Sequence, residues 1–164
     1  MVRPTSTRCE TAAHSAMADR LRRVRSALFT PGTEAARLRK AVTSGADVCI
    51  FDLEDSVPPS RIGEARAIVR EALHELAGRA RIWLRVHPAS SREMEEDLNA
   101  VPLTTLEAVV LPKASHRDDV QTCRRAMKQA RTTAELPIVP IIESAAGVLG
   151  CAGIAEVTGV ACLA

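Results

Sequence analysis

Short apolar runs alternate along this chain with segments whose apolar residues recur at helical spacing. The runs predict five strands, at residues 26–29, 48–51, 82–86, 108–111 and 137–142, and the start of a sixth at residues 160–163. The intervening segments predict four helices, at residues 33–45, 60–78, 115–130 and 145–157. Strands that alternate with amphipathic helices predict a parallel sheet joined by right-handed crossovers.

Two architectures are built from such units, an open doubly wound sheet and a closed eight-stranded barrel. No Gly-x-Gly-x-x-Gly follows any predicted strand, so the doubly wound, dinucleotide-binding alternative loses its main sequence support. The chain has 164 residues, whereas a single α/β barrel usually needs ~250. We therefore predict an α/β fold of the TIM-type (β/α)8 barrel class over residues 25–164, interrupted after about five and a half βα units.

Composition argues against two classes of protein. Hydrophobic residues make up 46% of the chain, but no apolar stretch approaches the ~20 residues that span a bilayer. Aromatic residues make up only 2%, and the excess of arginine lies near the N-terminus, so neither a stacking platform nor a basic stripe for nucleic acid is predicted. Residues 1–24 are predicted to be a flexible basic extension, with a transit peptide as the alternative.

The five cysteines form no Cys-x-x-Cys pair, and no secretory signal is recognised, which predicts reduced thiols and a cytoplasmic location. Cys49, Cys123, Cys151 and Cys162 lie within apolar patterns and are predicted to be small core residues rather than nucleophiles. The four histidines are scattered without ligand spacing, which argues against a zinc site.

Charged residues stand at or just after the carboxyl ends of the predicted strands. They are Asp52, Glu54 and Asp55 after the second strand, Arg85 in the third, Lys113 after the fourth and Glu143 after the fifth. In a barrel these ends converge on one mouth, and buried charges there cost several kcal/mol unless they are paired or bound to a ligand. The pattern predicts mutual neutralisation, metal binding or both. Structural explanations exist for single residues: a turn cap for Asp52, a snorkelling side chain for Arg85 and a helix N-terminal carboxylate for Glu143.

Five motifs occur in a fixed order between residues 25 and 164. They are RSALFTPG at 25–32, GAD at 45–47 with DLEDSV at 52–57, RVHP at 85–88, LPK at 111–113 and IESAAG at 142–147. In these motifs the chain resembles the β subunit of citrate lyase and the related malyl- and citramalyl-coenzyme A lyases of the HpcH/HpaI aldolase superfamily.

The resemblance implies a Mg²⁺-dependent barrel enzyme that breaks or forms the carbon–carbon bond between an acyl thioester and a 2-oxo acid. Glu143 is implied as a metal ligand, in keeping with the oxygen ligands that Mg²⁺ prefers. Arg85 is implied as a catalytic residue that contacts the substrate oxygen where negative charge develops. Glu54 and Asp55 are implied as catalytic groups that hold Arg85 and metal-bound water.

The resemblance also implies where the substrate binds. Arg25, Phe29, Pro31 and Gly32 belong to the segment that is similar to the family's lining of the coenzyme A end of the site, and Arg85 contacts the substrate. Lys113 is expected either to contact the substrate or to support the site through an ion pair. The expected partners are a citryl-, malyl- or citramalyl-CoA thioester, a 2-oxo acid and further copies of the chain, without nucleic acid or membrane.

Two departures from the family pattern affect this interpretation. His87 stands where the family usually has Asn, which changes the hydrogen-bonding groups beside Arg85. The family's sixth strand continues into a Phe-Gly-x-x-Asp motif that supplies a second metal ligand, and this sequence stops at Ala164 before such a motif. An interrupted barrel is expected to be poorly active. The alternatives are a thioesterase of the same family and a catalytically incomplete fragment that serves as a binding or assembly partner.

Overall fold

The structure of the protein, a computed structural model, describes residues 23–130 and 136–164. The prediction for residues 1–24 therefore falls outside the described residues, except at its last two positions. Five parallel strands form one sheet: β1 (Ala27–Pro31), β2 (Val48–Asp52), β3 (Ile82–Arg85), β4 (Ala108–Leu111) and β5 (Ile138–Pro140). Each strand overlaps a predicted one and differs from it by at most two residues at either end.

Five helices connect or follow these strands in the described residues. They are α1 (Ala35–Ala41), α2 (Ile62–Leu76), α3 (Glu93–Ala100), α4 (Arg117–Gln129) and α5 (Ala145–Ala155), with short 3₁₀ turns at Pro59–Arg61 and Leu103–Thr105. Four of them confirm the predicted helices. Two of them begin two residues later than predicted, because α1 begins after Glu34 and α2 continues from the 3₁₀ turn that ends at Arg61.

The sequence pattern did not predict α3. This helix has eight residues, and its apolar face consists of Met94 and Leu98, one turn apart. A single apolar pair among acidic residues is too short a pattern to show helical periodicity. The hydroxyl of Ser91 accepts a hydrogen bond from the backbone N–H of Glu93 at 3.2 Å, which satisfies a donor at the start of the helix.

The strand order is β1-β2-β3-β4-β5, so each strand pairs with the next one along the chain. A doubly wound sheet reverses this direction at a switch point, whereas a barrel does not. After α5 the chain returns to the sheet beside β5, where Val160 forms a parallel bridge with Ile138. The backbone N–H of Ala161 donates to the carbonyl of Ile138 at 3.1 Å. The predicted sixth strand thus begins at the expected position as a single bridge.

The two faces of the sheet are buried in different ways. One face packs against the helices in a large core that contains Phe51 and Leu84 from the strands and Leu73 and Ile154 from the helices. The other face is lined by strand residues: Val48, Ile50, Trp83, Ala108, Val110 and Val139. These are at most 4% exposed, and no helix residue in the described part of the chain belongs to their cluster. The second face of the sheet is therefore covered by side chains of the strands themselves, within the described residues.

None of the helices described in residues 23–130 and 136–164 is long and apolar enough to cross a membrane.

Candidate active site

An ion pair between neighbouring strand ends forms the centre of the site. The parallel register places Asp52, the last residue of β2, beside Arg85, the last residue of β3. Arg85 donates from Nε to Asp52 Oδ1 and from Nη2 to Oδ2, both at 2.6 Å. This two-pronged geometry is the strongest that a guanidinium and a carboxylate form. Burial alone would raise the pKa of Asp52, but the hydrogen bonds from Arg85 and Ser56 outweigh it and lower this pKa.

The rest of the Arg85 guanidinium also has neighbours. Its Nη1 lies 3.3 Å from Asp55 Oδ2 and 3.4 Å from Glu54 Oε2. Its Cζ lies 4.8 Å from the centre of the Phe29 ring, within the range of a cation–π contact. Side chains from β1, β2 and the loop after β2 therefore hold this cation in one orientation.

Lys113 connects the ion pair to the segment after β5. Its Nζ donates to Glu54 Oε1 at 2.5 Å and lies 3.4 Å from Asp55 Oδ1. Its backbone N–H donates to Glu143 Oε1 at 2.7 Å. The ends of four strands thus contribute to one group of charges, which we call the charged cluster: Asp52, Glu54, Asp55, Arg85, Lys113 and Glu143.

A close backbone approach at Gly32 brings the end of β1 against the end of β2. The N–H of Gly32 donates to the carbonyl of Asp52 at 2.8 Å, and a Cβ at Gly32 would lie 2.8 Å from that same oxygen. Any side chain here would displace the strand end that carries Asp52. Pro31 pairs with Asp52 in the strand register. The residues that the family resemblance assigned to substrate binding therefore also shape the backbone of the site.

The structure does not bring Arg25 to the charged cluster. Arg25 precedes β1 and pairs with Asp47, which precedes β2, with Nη2 3.1 Å from Oδ1. The two residues lie at the amino ends of β1 and β2, whereas the cluster lies at the carboxyl edge of the parallel sheet. A five-residue strand is about 16 Å long, which separates Arg25 from the site. Phe29, Arg85, Glu54, Asp55, Lys113 and Glu143 are brought together as a group.

Sequence reasoning missed that Asp52 is the main partner of Arg85, since it assigned this part to Glu54 and Asp55. The available signal was the strand alternation, because Asp52 is in phase with Val48 and Ile50 and points to the same face of the sheet. The register that sets Asp52 opposite Arg85 could not be read from the sequence.

A second network of buried charge lies just beyond Arg85, and we call it the Asp97 network. Asp97 on α3 is completely buried and accepts hydrogen bonds from Arg66 Nε at 2.8 Å and from the backbone N–H of His87 at 2.9 Å. The His87 ring Nδ1 lies 2.7 Å from the same carboxylate. Burial would lower the pKa of His87, but Asp97 outweighs it and raises this pKa. His87 therefore faces α3 and contacts Asp97 there.

The donor set of the charged cluster fits a hard divalent cation. Four carboxylates against two cations leave it a formal charge of −2. Glu54 Oε2 is buried and accepts no hydrogen bond, although it lies at ion-pair distance from Arg85. Within the described ranges no three His, Cys, Asp or Glu side chains form a ready metal cage. Mg²⁺ does not need one, because it commonly takes one or two carboxylates together with water and substrate oxygens.

Cysteines take no part in the cluster. Cys49 and Cys123 are buried in the core between sheet and helices. Desolvation raises the pKa of Cys123 to about 12, which keeps its thiol protonated and unreactive. Cys151 and Cys162 are partly buried. The prediction of small core residues is confirmed for Cys49 and Cys123, and Cys9 lies outside the described residues.

Comparison with known proteins shows the family of this chain. The sequence pattern of the HpcH/HpaI aldolase/citrate lyase family matches residues 25–164, and the chain belongs to this family. A (3S)-malyl-CoA thioesterase of Cereibacter sphaeroides is 33% identical over 141 residues, which are 85% of this chain and 47% of that protein. A citrate lyase subunit beta-like protein of Deinococcus radiodurans is 31% identical over 145 residues, 84% of this chain and 49% of that protein. The chain spans about half the length of these curated relatives.

Solved structures share the fold. The citrate lyase beta subunit of M. tuberculosis, complexed with oxaloacetate and magnesium, matches with a TM-score of 0.69 and 27% identity over 87% of this chain and 58% of that one. The CitE protein of Mycobacterium tuberculosis in complex with magnesium, acetoacetate and coenzyme A matches with a TM-score of 0.68 and 26% identity over 87% of this chain and 48% of that one. The predicted family and the parallel α/β fold are confirmed.

Proposed function

We propose that this protein acts in Mg²⁺-dependent cleavage or formation of a carbon–carbon bond in a 3-hydroxyacyl-coenzyme A thioester such as citryl-, malyl- or citramalyl-CoA. The observation that carries this proposal is the charged cluster, in which an oriented Arg85 meets more carboxylate charge than the cluster's own cations balance. The names of the relatives support the substrate class. A 2-oxo acid product is supported by the oxaloacetate bound to the solved relative.

In this proposal Arg85 stabilises negative charge on the substrate. The substrate hydroxyl loses its proton to solvent, and the carbon–carbon bond breaks as the hydroxyl carbon becomes the carbonyl of the 2-oxo acid. The electrons of the broken bond remain on the thioester fragment as an enolate, which then takes up a proton from solvent. A guanidinium that Asp52 and the Phe29 ring already orient meets this charge without reorganising. Asp52 then acts as a positioning residue for Arg85.

Glu143 would hold Mg²⁺ in this site. One of its carboxylate oxygens accepts the backbone N–H of Lys113, and the other accepts no hydrogen bond within the described residues. When bound, Mg²⁺ would polarise a substrate carbonyl as a Lewis acid. Glu54 and Asp55 hold Arg85 and Lys113, and they supply the negative charge that attracts the cation.

We also propose that residues 25–164 form part of a TIM-type barrel, preceded by an extension over residues 1–24. The unreversed strand order, the helices on one face of the sheet and the buried strand side chains on the other support this architecture. A cytoplasmic location and a homo-oligomeric state belong to the same proposal.

The decisive experiment assays the purified protein with Mg²⁺ on a panel of citryl-, malyl- and citramalyl-CoA. Arg85→Ala should lower turnover ~100-fold, or ~3 kcal/mol in activation free energy, by analogy with the loss of an oxyanion donor. Arg85→Lys should rescue little of it, because a single ammonium cannot form the two-pronged pair with Asp52. Arg70→Ala, an exposed change on α2, is the matched control. Full turnover in Arg85→Ala would remove this residue from the mechanism.

A thioesterase is the second candidate, because the relative from Cereibacter sphaeroides that is 33% identical bears that name. The two reactions give different products. Carbon–carbon cleavage releases a 2-oxo acid and keeps the thioester, whereas hydrolysis releases free coenzyme A thiol and a hydroxy acid. Parallel detection of 2-oxo acid and free thiol in one reaction decides between them.

A further inference from the structure

Lys113 has an unusual backbone conformation at the centre of the charged cluster. Its φ of 54° is the only positive φ of a non-glycine residue within residues 23–130 and 136–164. This region is unfavourable for a residue with a Cβ, and such strain persists where the surroundings determine the conformation. Pro112 followed by a positive φ is the pattern of a type II turn, whose third position normally holds Gly or Asn. A lysine here must therefore contribute something that Gly would not.

The conformation lets one residue make two contacts at the same time. The backbone N–H reaches Glu143 Oε1 at 2.7 Å, on the segment that follows β5. The side chain extends in the other direction, to Glu54 Oε1 at 2.5 Å in the loop after β2. Lys113 thus links two carboxylates that belong to different strand ends.

Glu54 depends on this contact more than Lys113 does. The Glu54 side chain is 5% exposed, whereas that of Lys113 is 50% exposed. Lys113 Nζ donates the only hydrogen bond to the Glu54 carboxylate in the described part of the chain. A buried carboxylate is costly without a hydrogen-bonded partner, so the ammonium is needed to keep Glu54 in its place beside Arg85.

We propose that Lys113 is a positioning residue of the site rather than a contact for the substrate: its backbone N–H sets the orientation of Glu143, and its ammonium holds Glu54 beside Arg85. This inference rests on the proposed function for its catalytic consequence, but both contacts are properties of the folded chain. The contact with Glu54 can be tested separately from the contact with Glu143, because a side-chain substitution removes the ammonium and leaves the backbone N–H.

Two substitutions at this position form a matched pair. Lys113→Ala removes the ammonium and keeps the strained Cβ, whereas Lys113→Gly removes both. Both should lower kcat ~30-fold or more with KM for the thioester changed less than ~3-fold, since the effect acts through Glu54 and Arg85.

Both variants should bind Mg²⁺ with an affinity within ~3-fold of wild type by calorimetry, because the hydrogen bond from the backbone N–H to Glu143 is retained. Lys113→Gly should also unfold at a higher temperature than Lys113→Ala. Lys40→Ala, an exposed change on α1, is the control.

Other results would overturn the proposal. A large rise in KM with kcat unchanged would make Lys113 a substrate contact, and unchanged turnover in both variants would leave it without a role.

Hydrogen exchange tests the contacts without any turnover or metal. The amide of residue 113 should exchange ~10-fold faster in Glu143→Ala than in wild type and should stay protected in Lys113→Ala. If the wild type neither binds Mg²⁺ nor cleaves thioesters, the proposed function fails. The positioning inference fails separately if the amide of residue 113 exchanges at the same rate in Glu143→Ala as in wild type.

Discussion

Two networks of buried charge lie close to the end of β3, and they differ in how completely their hydrogen bonds are satisfied. In the Asp97 network both carboxylate oxygens of Asp97 accept hydrogen bonds, one from Arg66 and the other from His87. In the charged cluster Glu54 Oε2 is buried without a hydrogen bond, and carboxylates outnumber cations by two. A complete network has no capacity left for a ligand, whereas an incomplete one does.

The difference indicates that the two networks have different roles, although both lie close to the end of β3. Arg66 lies on α2 and Asp97 on α3, so their ion pair connects two helices. Asp97 also accepts the N–H of His87, two residues after Arg85, which ties both helices to the loop after β3. The Asp97 network therefore anchors the end of β3. The anchored end of β3 in turn keeps the Arg85 guanidinium in place within the charged cluster. The first network is expected to govern stability and the second to govern activity.

The largest expected effect comes from breaking the anchor. Asp97→Ala leaves the partly buried Arg66 side chain without a carboxylate at Nε and removes the acceptor of the His87 N–H, so we expect a loss of about 3 kcal/mol in the free energy of unfolding. Urea denaturation measures it. Asp55→Asn, in the cluster, should change stability by less than ~0.5 kcal/mol because Asp55 is exposed, while it lowers turnover. Equal destabilisation by the two substitutions would abolish the contrast between the networks.

Mg²⁺ should stabilise the protein through the cluster alone. A ligand that binds only the folded state at one hundred times its Kd adds ~2.7 kcal/mol to the free energy of unfolding. Thermal unfolding with and without Mg²⁺ should show this gain in wild type and lose it in Glu143→Ala. Asp97→Asn should keep the gain on a lower baseline. A gain that survives in Glu143→Ala would place the cation elsewhere.

The two networks should respond to pH in opposite directions. Asp97 raises the pKa of His87, so the stability from their contact is fully present below the unfolded value of about 6.5 and is lost as pH rises through the folded pKa. Arg85 lowers the pKa of Asp52, so that contribution is present above about 3.9 and is lost as pH falls through the folded pKa. Unfolding curves across pH for wild type and His87→Asn measure both. The Asn variant should lose only the dependence at higher pH.

Removal of residues 1–24 should have the smallest effect, because both networks lie in later residues. The basic composition and lack of apolar periodicity predict that this segment is dispensable for folding. We expect an unchanged thermal midpoint after deletion. A fall of ~5 °C or more, on the order of 1 kcal/mol for a domain of this size, would show that the segment is docked.

Much of the framework was predictable because its signals are local. The apolar runs at residues 48–51 and 108–111 predicted β2 and β4 directly, since strands buried on both faces are continuously apolar. The helix α3 was not predictable, because its two buried apolar residues give no recognisable period. The placement of Arg25 could be read from the sequence, because this residue precedes the strand predicted at residues 26–29 and so lies at its amino end, but the family motif was followed instead.

The order of strands and helices, and the position of charged residues at the strand ends, follow from periodicity and residue type, which act over a few neighbouring positions. The pairing of those charges does not. Asp52 rather than Glu54 accepts two hydrogen bonds from Arg85, because the β2–β3 register sets Asp52 beside Arg85. Lys113 contacts Glu54, which lies 59 positions earlier, and Glu143, which lies 30 positions later. It does so with a positive φ, which is unfavourable for a residue with a Cβ. Such contacts depend on how distant strands are brought together, and only the folded sheet decides them.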